Sequence, residues 1–411
     1  MLSAQTSLTP SDRASEAGGA LLVVVDQAPR DVARGFASSL QARTSGGIDG
    51  RAVTVLVATS SPDVALVDPA DPRADSLAPA TAGVHGGGFA GRRSALGALL
   101  READSTGAAA AVLVTAGVRD EAVDWLRLLV SPILEDGFEL VCPAYRRARL
   151  DGLLGTAILN PLTRALYGAR LRQPAGGEVA VSLALARHLL SDLDWRRDPE
   201  HAGSDAWLIG KVLAERRRVC QAWLGRWPGD GAAEDASHAL SRVVGPVFHE
   251  MERRSDRWQR VDGSQPVPAF GEVGAAPDGP ARVDVSALAN HFRLGLRELD
   301  GIWGLVLPPA TRLALRRAAE APAETLRVDD ALWARIVYDF AIAYSTRTLE
   351  RGQLLRSMTP LYVGWLAGFV NDVRELEDTG AEARFETLCA AFEREKPYLI
   401  RRWRWPNSFN P

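Results

Sequence analysis

Arg146, Arg147 and Arg149 precede Asp151, and Arg164, Arg170 and Arg172 follow it, so six guanidinium groups fall between positions 146 and 172. A planar guanidinium fork grips carboxylate or phosphate with paired hydrogen bonds, which gives this stretch the chemistry of an anion site. The plain alternative is solvation. Lysine occurs only at Lys211 and Lys396, so 46 of the 48 basic residues are arginine, and most arginines in such a chain are surface charges. Just downstream, Gly176-Gly177-Glu178 puts a carboxylate after a tight turn, and Ser204-Asp205-Ala206 puts another where a helix begins. The plain reading is that Glu178 caps local backbone amides and that Asp205 caps the helix starting at Ala206. Upstream, Gly87-Gly88-Phe89-Ala90-Gly91 leads into Arg92-Arg93, glycine and positive charge at a helix start, a setting that favours phosphate. Glycine-rich loops recur through the chain and dilute that signal.

These side chains need a scaffold, and apolar patterning predicts one. Ala20–Asp26, Ala52–Ala58 and Ala109–Thr115 are continuous apolar runs, the mark of strands buried on both faces. Helical spacing falls between them at Arg30–Arg43 and Arg92–Ser105, with a short strand expected at Val64–Val67. Strand alternating with helix in this order predicts an α/β sandwich around a mainly parallel sheet. A helix near Glu121–Leu134, a strand at Phe138–Pro143, a helix over Leu153–Tyr167 and a strand at Val179–Ser182 continue the pattern. Helices at His188–Trp195 and Asp205–Glu215, a strand at Val219–Leu224 and a helix ending near Trp258 complete it. Val261–Pro280 is rich in Pro and Gly and is the best boundary. Beyond it, Ala287–Leu299, Ala310–Ala321, Asp329–Glu350, Pro360–Glu377 and Glu382–Pro397 carry three- and four-residue apolar spacing, an all-helical region. The expected division is a leader at 1–19, disordered, an α/β domain at 20–260, a linker at 261–280 and a helical domain at 281–411.

Composition narrows the function. Hydrophobic residues make up 46% and charged residues 24% of 411, an ordinary soluble globular profile. A formal net charge of −3 gives no global basic field for nucleic acid or anionic membrane. No uninterrupted apolar run reaches membrane-spanning length and no signal peptide is visible, so a cytoplasmic protein is expected. Cys142, Cys220 and Cys389 are widely spaced and fit no metal pattern, which suits buried thiols in a reducing compartment. Trp195, Trp207, Trp223 and Trp227 could stack on a sugar or base, though such rings more often pack in cores.

Three segments resemble one family. Tyr145–Asp151 with Asn160-Pro161-Leu162-Thr163-Arg164-Ala165-Leu166-Tyr167-Gly168, then Arg172-Gln173-Pro174-Ala175-Gly176-Gly177-Glu178, then Gly203-Ser204-Asp205-Ala206-Trp207 are similar to the acceptor-side segments of mannosylglycerate synthase and its bacterial relatives. These are retaining nucleotide-sugar glycosyltransferases of the GT-A fold. Arg218–Gly225 and Met358–Phe369 add to the resemblance, which covers about residues 105 to 375. It implies a GT-A-like α/β domain with a helical extension. It also implies catalytic-side carboxylates at Glu178 and Asp205, with Gly176, Gly177, Arg92 and Arg93 on the donor phosphate side. Acceptor contacts fall to Arg147, Tyr167 and Arg172, Arg147 being the first to test because the family's acceptor carboxylate is bound from that segment.

The departures from the pattern are as informative. Such enzymes hold Mg²⁺ or Mn²⁺ with Asp-x-Asp, because a hard cation stabilises the departing diphosphate. The matching positions here are Thr115 and Gly117, the relatives' histidine is replaced within Arg226–Asp230, and their Gly-Lys-Gly loop becomes Gly87–Arg93. His238 or His249 could be a displaced ligand, although a lone histidine on a helix is usually structural. The expectation is therefore no metal cofactor, with a nucleotide sugar as possible ligand. Two functions follow: a transferase-family protein with a degenerate site that binds sugar, nucleotide or partner, as a homo-oligomer or beside an active paralogue; or a metal-independent transferase in which arginines stabilise the leaving phosphate. A catalytic chain acting on an unusual donor is a third.

Overall fold

The computed structural model describes residues 19–26, 30–58, 66–70, 89–115, 124–174, 176–192, 195, 204–226, 236–274 and 283–406. The leader expected at 1–19 lies almost entirely outside them. An eight-stranded sheet runs through the first two thirds of the chain. In chain order its strands are β1 (Leu21–Asp26), β2 (Val53–Ala58), β3 (Leu66–Val67), β4 (Ala110–Thr115), β5 (Leu140–Arg146), β7 (Val179–Ser182), β8 (Val219–Arg226) and β10 (Ala269–Phe270). They lie side by side as β10-β8-β5-β7-β4-β1-β2-β3. Neighbours are parallel except at β2–β3 and on both sides of β7. A second, two-stranded sheet pairs β6 (Ala169–Arg170) with β9 (Gln265–Pro266).

The continuous apolar runs are explained by burial on both faces. Leu21, Val23 and Val25 of β1 enter one core layer while Leu22 and Val24 enter the other, and β4 divides in the same way. Helices α1 (Arg30–Arg43) and α3 (Asp124–Leu134) cover the first face. Helices α2 (Phe89–Thr106), α5 (Leu183–Ser191) and α6 (Asp205–Ala214) cover the second. The predicted class, an α/β domain on a mainly parallel sheet with a C-terminal helical region, is what the structure has.

Two elements differ from expectation for local reasons. The helix expected at His188–Trp195 runs instead over Leu183–Ser191, because Ser182 closes β7 and also caps α5, its hydroxyl accepting from Leu185 N–H at 3.1 Å. The helix expected over Leu153–Tyr167 contains a π turn at Gly155–Leu159 before α4 (Asn160–Tyr167). Pro161 has no N–H to give the carbonyl four residues back. That carbonyl, on Ala157, accepts the indole N–H of Trp333 at 2.9 Å instead.

Trp333 belongs to the helical region. There α9 (Val285–Glu298), α10 (Asp300–Val306), α11 (Pro309–Glu320), α12 (Asp330–Thr346), α13 (Arg351–Ser357), α14 (Thr359–Val373) and α15 (Asp378–Arg404) surround a large third core. That core also takes in Ala157–Leu166 and residues of α7 (Ala236–Arg253) and α8 (Ser255–Trp258). Within it Asp339 is fully enclosed, receiving the Tyr398 hydroxyl at 2.8 Å and Arg402 Nε at 3.2 Å. Burial lifts its carboxyl to about 7, overriding the lowering from Arg402 and Tyr398. Val261–Phe270 is tied down on both sides. Val261 O accepts from Lys396 Nζ at 2.6 Å, and Pro268 O accepts from Gln221 N–H at 3.0 Å. The only two lysines are both inside: Lys211 is 5% and Lys396 6% exposed.

Candidate functional site

The turn from Arg172 to Glu178 is fastened at four points. Arg172 N–H donates to Gln221 Oε1 at 3.0 Å, and the Arg172 carbonyl accepts from the Asn160 side-chain amide. Gln173 Nε2 donates to the Tyr145 carbonyl at 3.0 Å. Gly176 lies so close to β5 that an added Cβ would sit 2.3 Å from Pro143 Cγ, and Gly177 has φ +94°. Glycine is needed at both places, the first for approach and the second for backbone conformation. The turn delivers Glu178, 4% exposed, to the Tyr145 hydroxyl, which donates to its Oε2 at 2.6 Å. The carboxylate thus has a buried side-chain donor as partner.

Asp205 is the first residue of α6. The cap is Ser204, whose Oγ accepts from Trp207 N–H at 3.2 Å, so the capping role read for Asp205 belongs to its neighbour. Asp205 lines an open recess of about 330 Å³ with Thr163, Tyr167, Pro174, Gly210 and Glu250. A Cβ on Gly210 would lie 2.9 Å from the Tyr167 hydroxyl, so the glycine lets that hydroxyl approach α6. Burial pushes the Tyr167 phenol upward, with the Glu250 charge adding to it, so Tyr167 stays protonated and can donate. Glu250 itself accepts from Arg254 Nε at 2.6 Å.

Arg147 and Arg172 meet in a second recess of about 500 Å³, lined by Arg146, Arg149, Asp151, Thr156, Asp378 and Glu382 among others. The three expected acceptor residues are therefore divided: Arg147 and Arg172 share this recess, and Tyr167 faces the other with Asp205. Pro174 lines one and Arg172 the other, so the Arg172–Glu178 turn stands between them.

The arginines are answered by the first half of α15. Arg172 Nη2 pairs with Glu382 at 3.1 Å and its guanidinium lies 4.2 Å from the Phe385 ring centre. Arg146 reaches both Asp378 and Glu382 at 3.8 Å, and Arg149 reaches Asp378 at 3.8 Å. Deeper, Arg164, with a side chain 7% exposed, pairs with Glu386 at 2.5 Å and Glu393 at 3.1 Å. Burial works against its charge, and the two glutamates overcome that and hold the guanidinium above its usual range. Sequence reasoning missed this acidic face. The signal was present in Asp378, Glu382 and Glu386, which recur every four residues and so share one side of a helix.

The donor-side expectations fall largely elsewhere. Arg92 and Arg93 are in the first turn of α2, with side chains outside the described residues. Gly117, Trp227 and the side chains of Thr115 and His238 are outside them too. Backbone register sets Asp26 directly opposite Thr115 at the carboxyl edge of β1 and β4. Among the described residues no three His, Cys, Asp or Glu side chains assemble to hold a metal ion. Trp207 is buried against Trp195, ring centres 5.3 Å apart, and serves the core. All three cysteines are buried free thiols, and burial raises Cys220 and Cys389 to about 12. None is a thiolate at neutral pH. No described helix is long and apolar enough to cross a membrane.

No family model matches the sequence, and no curated protein matches it. Solved structures do. The chain is similar to glucosyl-3-phosphoglycerate synthase from Mycobacterium tuberculosis in complex with Mn²⁺, UDP and phosphoglyceric acid, at 19% identity and a TM-score of 0.38 over 61% of this chain and 84% of that one. It is similar to the same synthase with Mg²⁺ and UDP, at 20% identity and a TM-score of 0.39 over 61% and 85%. A third similar structure, described as a mycobacterial protein, has 20% identity and a TM-score of 0.38 over 61% and 80%.

Proposed function

We propose that the chain is a GT-A-like glycosyltransferase-fold protein whose metal-dependent transfer is impaired or lost, and that it binds a sugar, a nucleotide or a partner chain. Strand order supports the placing of such a ligand. The chain runs outward from β1 to β2 and β3, then returns to β4 on the other side of β1. In α/β proteins the carboxyl edge at such a reversal of strand order is where nucleotides bind.

The observation that supports impaired transfer is that the anion-binding groups already have internal partners. Arg146, Arg149, Arg164 and Arg172 are paired with Asp378, Glu382, Glu386 and Glu393. At the carboxyl end of β4 the sequence has Thr115, a neutral residue, where the resemblance asks for a carboxylate.

Titration calorimetry with UDP- and GDP-sugars, with and without Mn²⁺, tests this reading. Weak or absent nucleotide heat in both conditions supports it. Tight binding that requires Mn²⁺, with turnover that a chelator abolishes, overturns it. Nucleotide binding indifferent to metal, accompanied by turnover, replaces it with metal-independent transfer.

A further inference from the structure

The pairing between α15 and the arginine recess is uneven along the helix, and the unevenness has a direction. Toward its middle α15 is anchored. Arg164 holds Glu386 and Glu393, Arg384 holds Asp330 at 2.7 Å and Asp372 at 2.8 Å, and Arg335 holds Glu395 at 2.6 Å. At its start the ties are looser. Three of the four pairs made by Asp378 and Glu382 are 3.8 Å long, and both carboxylates are more than two-fifths exposed. Exposed ion pairs of that length add little to stability.

The first turn is also a poor helix start. No side chain caps it, since Glu377 stands at the cap position without a side-chain hydrogen bond. Gly380 sits within that turn. An uncapped turn containing glycine frays at little cost. The preceding connection, however, is held: Arg149 Nη1 donates to the carbonyls of Val373 and Leu376. The weakly held stretch is therefore the short one that carries the two carboxylates, residues 377–382.

We propose that the start of α15, residues 378–382, is a built-in anion mimic. Asp378 and Glu382 occupy Arg146, Arg149 and Arg172 in the absence of ligand, and the turn yields when a phosphate- or carboxylate-bearing molecule enters the recess. The inference rests on reading the recess as the acceptor side. Arginine favours a phosphate over these carboxylates, because phosphate brings more charge and three acceptor oxygens to the bidentate forks. The device makes anion affinity depend on how easily the helix start opens.

The test uses the full chain and inorganic phosphate, with binding followed by phosphorus NMR and folding by circular dichroism. Asp378→Asn with Glu382→Gln should tighten phosphate about tenfold, the worth of losing the weak competing pairs. Glu375→Gln, a neighbouring exposed acid that touches only Arg374, should change affinity far less. Phosphate should speed amide exchange at residues 377–382 in the unaltered protein. An unchanged affinity in the folded double variant, or an effect equal to that of Glu375→Gln, sinks the mimic alone. Phosphate binding that survives Arg146→Gln with Arg172→Gln shows that the recess is no anion site, and the acceptor-side reading falls with it. Acetate in place of phosphate separates carboxylate from phosphate recognition.

Discussion

Asp339 gives the sharpest quantitative expectation. Its carboxyl moves from an ordinary 3.8 to about 7 on folding, because burial outweighs Arg402 and Tyr398. At about 1.4 kcal/mol per tenfold change in proton affinity, that shift is worth about 4 kcal/mol. The sign follows from which state holds the proton. Below about pH 4 both states are protonated and the fold keeps its full stability. Between about 4 and 7 the unfolded chain has released the proton while the folded chain retains it, so stability falls as pH rises; above about 7 the loss is complete. Asp339→Asn keeps the shape, removes the titration, and leaves Arg402 with a neutral partner, which adds a constant offset. Urea denaturation followed by tryptophan fluorescence, from pH 4.5 to 8, separates slope from offset. The unaltered protein should lose about 3 kcal/mol relative to the variant as pH rises across this window, the rest of the shift lying below pH 4.5. Parallel stability curves for the two proteins would show that the buried carboxylate is already ionised at pH 5, and the desolvation reasoning would fail.

Three other expectations concern packing near the two recesses. Gly176→Ala pushes a methyl to 2.3 Å from Pro143 Cγ, so the turn must shift, at a cost of about 1–3 kcal/mol by thermal unfolding. Arg164→Met removes the pairing to Glu386, Glu393 and Ser264; a loss of about 2–3 kcal/mol is expected in urea, less than for a sealed pair because Glu386 is half exposed. Trp333→Phe strands the Ala157 carbonyl that Pro161 leaves free, costing about 1–3 kcal/mol. Pro161→Ala restores a backbone donor, so the double variant should be destabilised by less than the sum of the two single changes.

The layers of the α/β part were legible because both faces of β1 and β4 are buried, which forces the uninterrupted apolar runs that the sequence displays. What was hidden has identifiable causes. Ser182 ends a strand and starts a helix at once, so its capping role is masked by the strand pattern. Pro161 reads as an ordinary first-turn proline, and the partner of the carbonyl four residues before it, Trp333, lies far along the chain. The arginine cluster was visible as an anion-binding composition, but its partners lie more than two hundred positions later. No local pattern near Arg146 or Arg172 announces Asp378 or Glu382. Glu178 was singled out for its position after two glycines, while Tyr145, its actual partner, was noticed only as the start of a segment.

The enclosure of Lys211 and Lys396 has a chemical corollary for the folded molecule. Arginine guanidinium groups do not acylate, form Schiff bases or accept isopeptide linkages under mild conditions, and neither lysine side chain is presented to such chemistry. Lys211 is held by Asp192 and Glu215, and Lys396 by the Val261 carbonyl. Labelling of either ε-amine is therefore a report of opening: Lys211 speaks for the helix that begins at Asp205, and Lys396 for the seam between the last helix and the sheet edge.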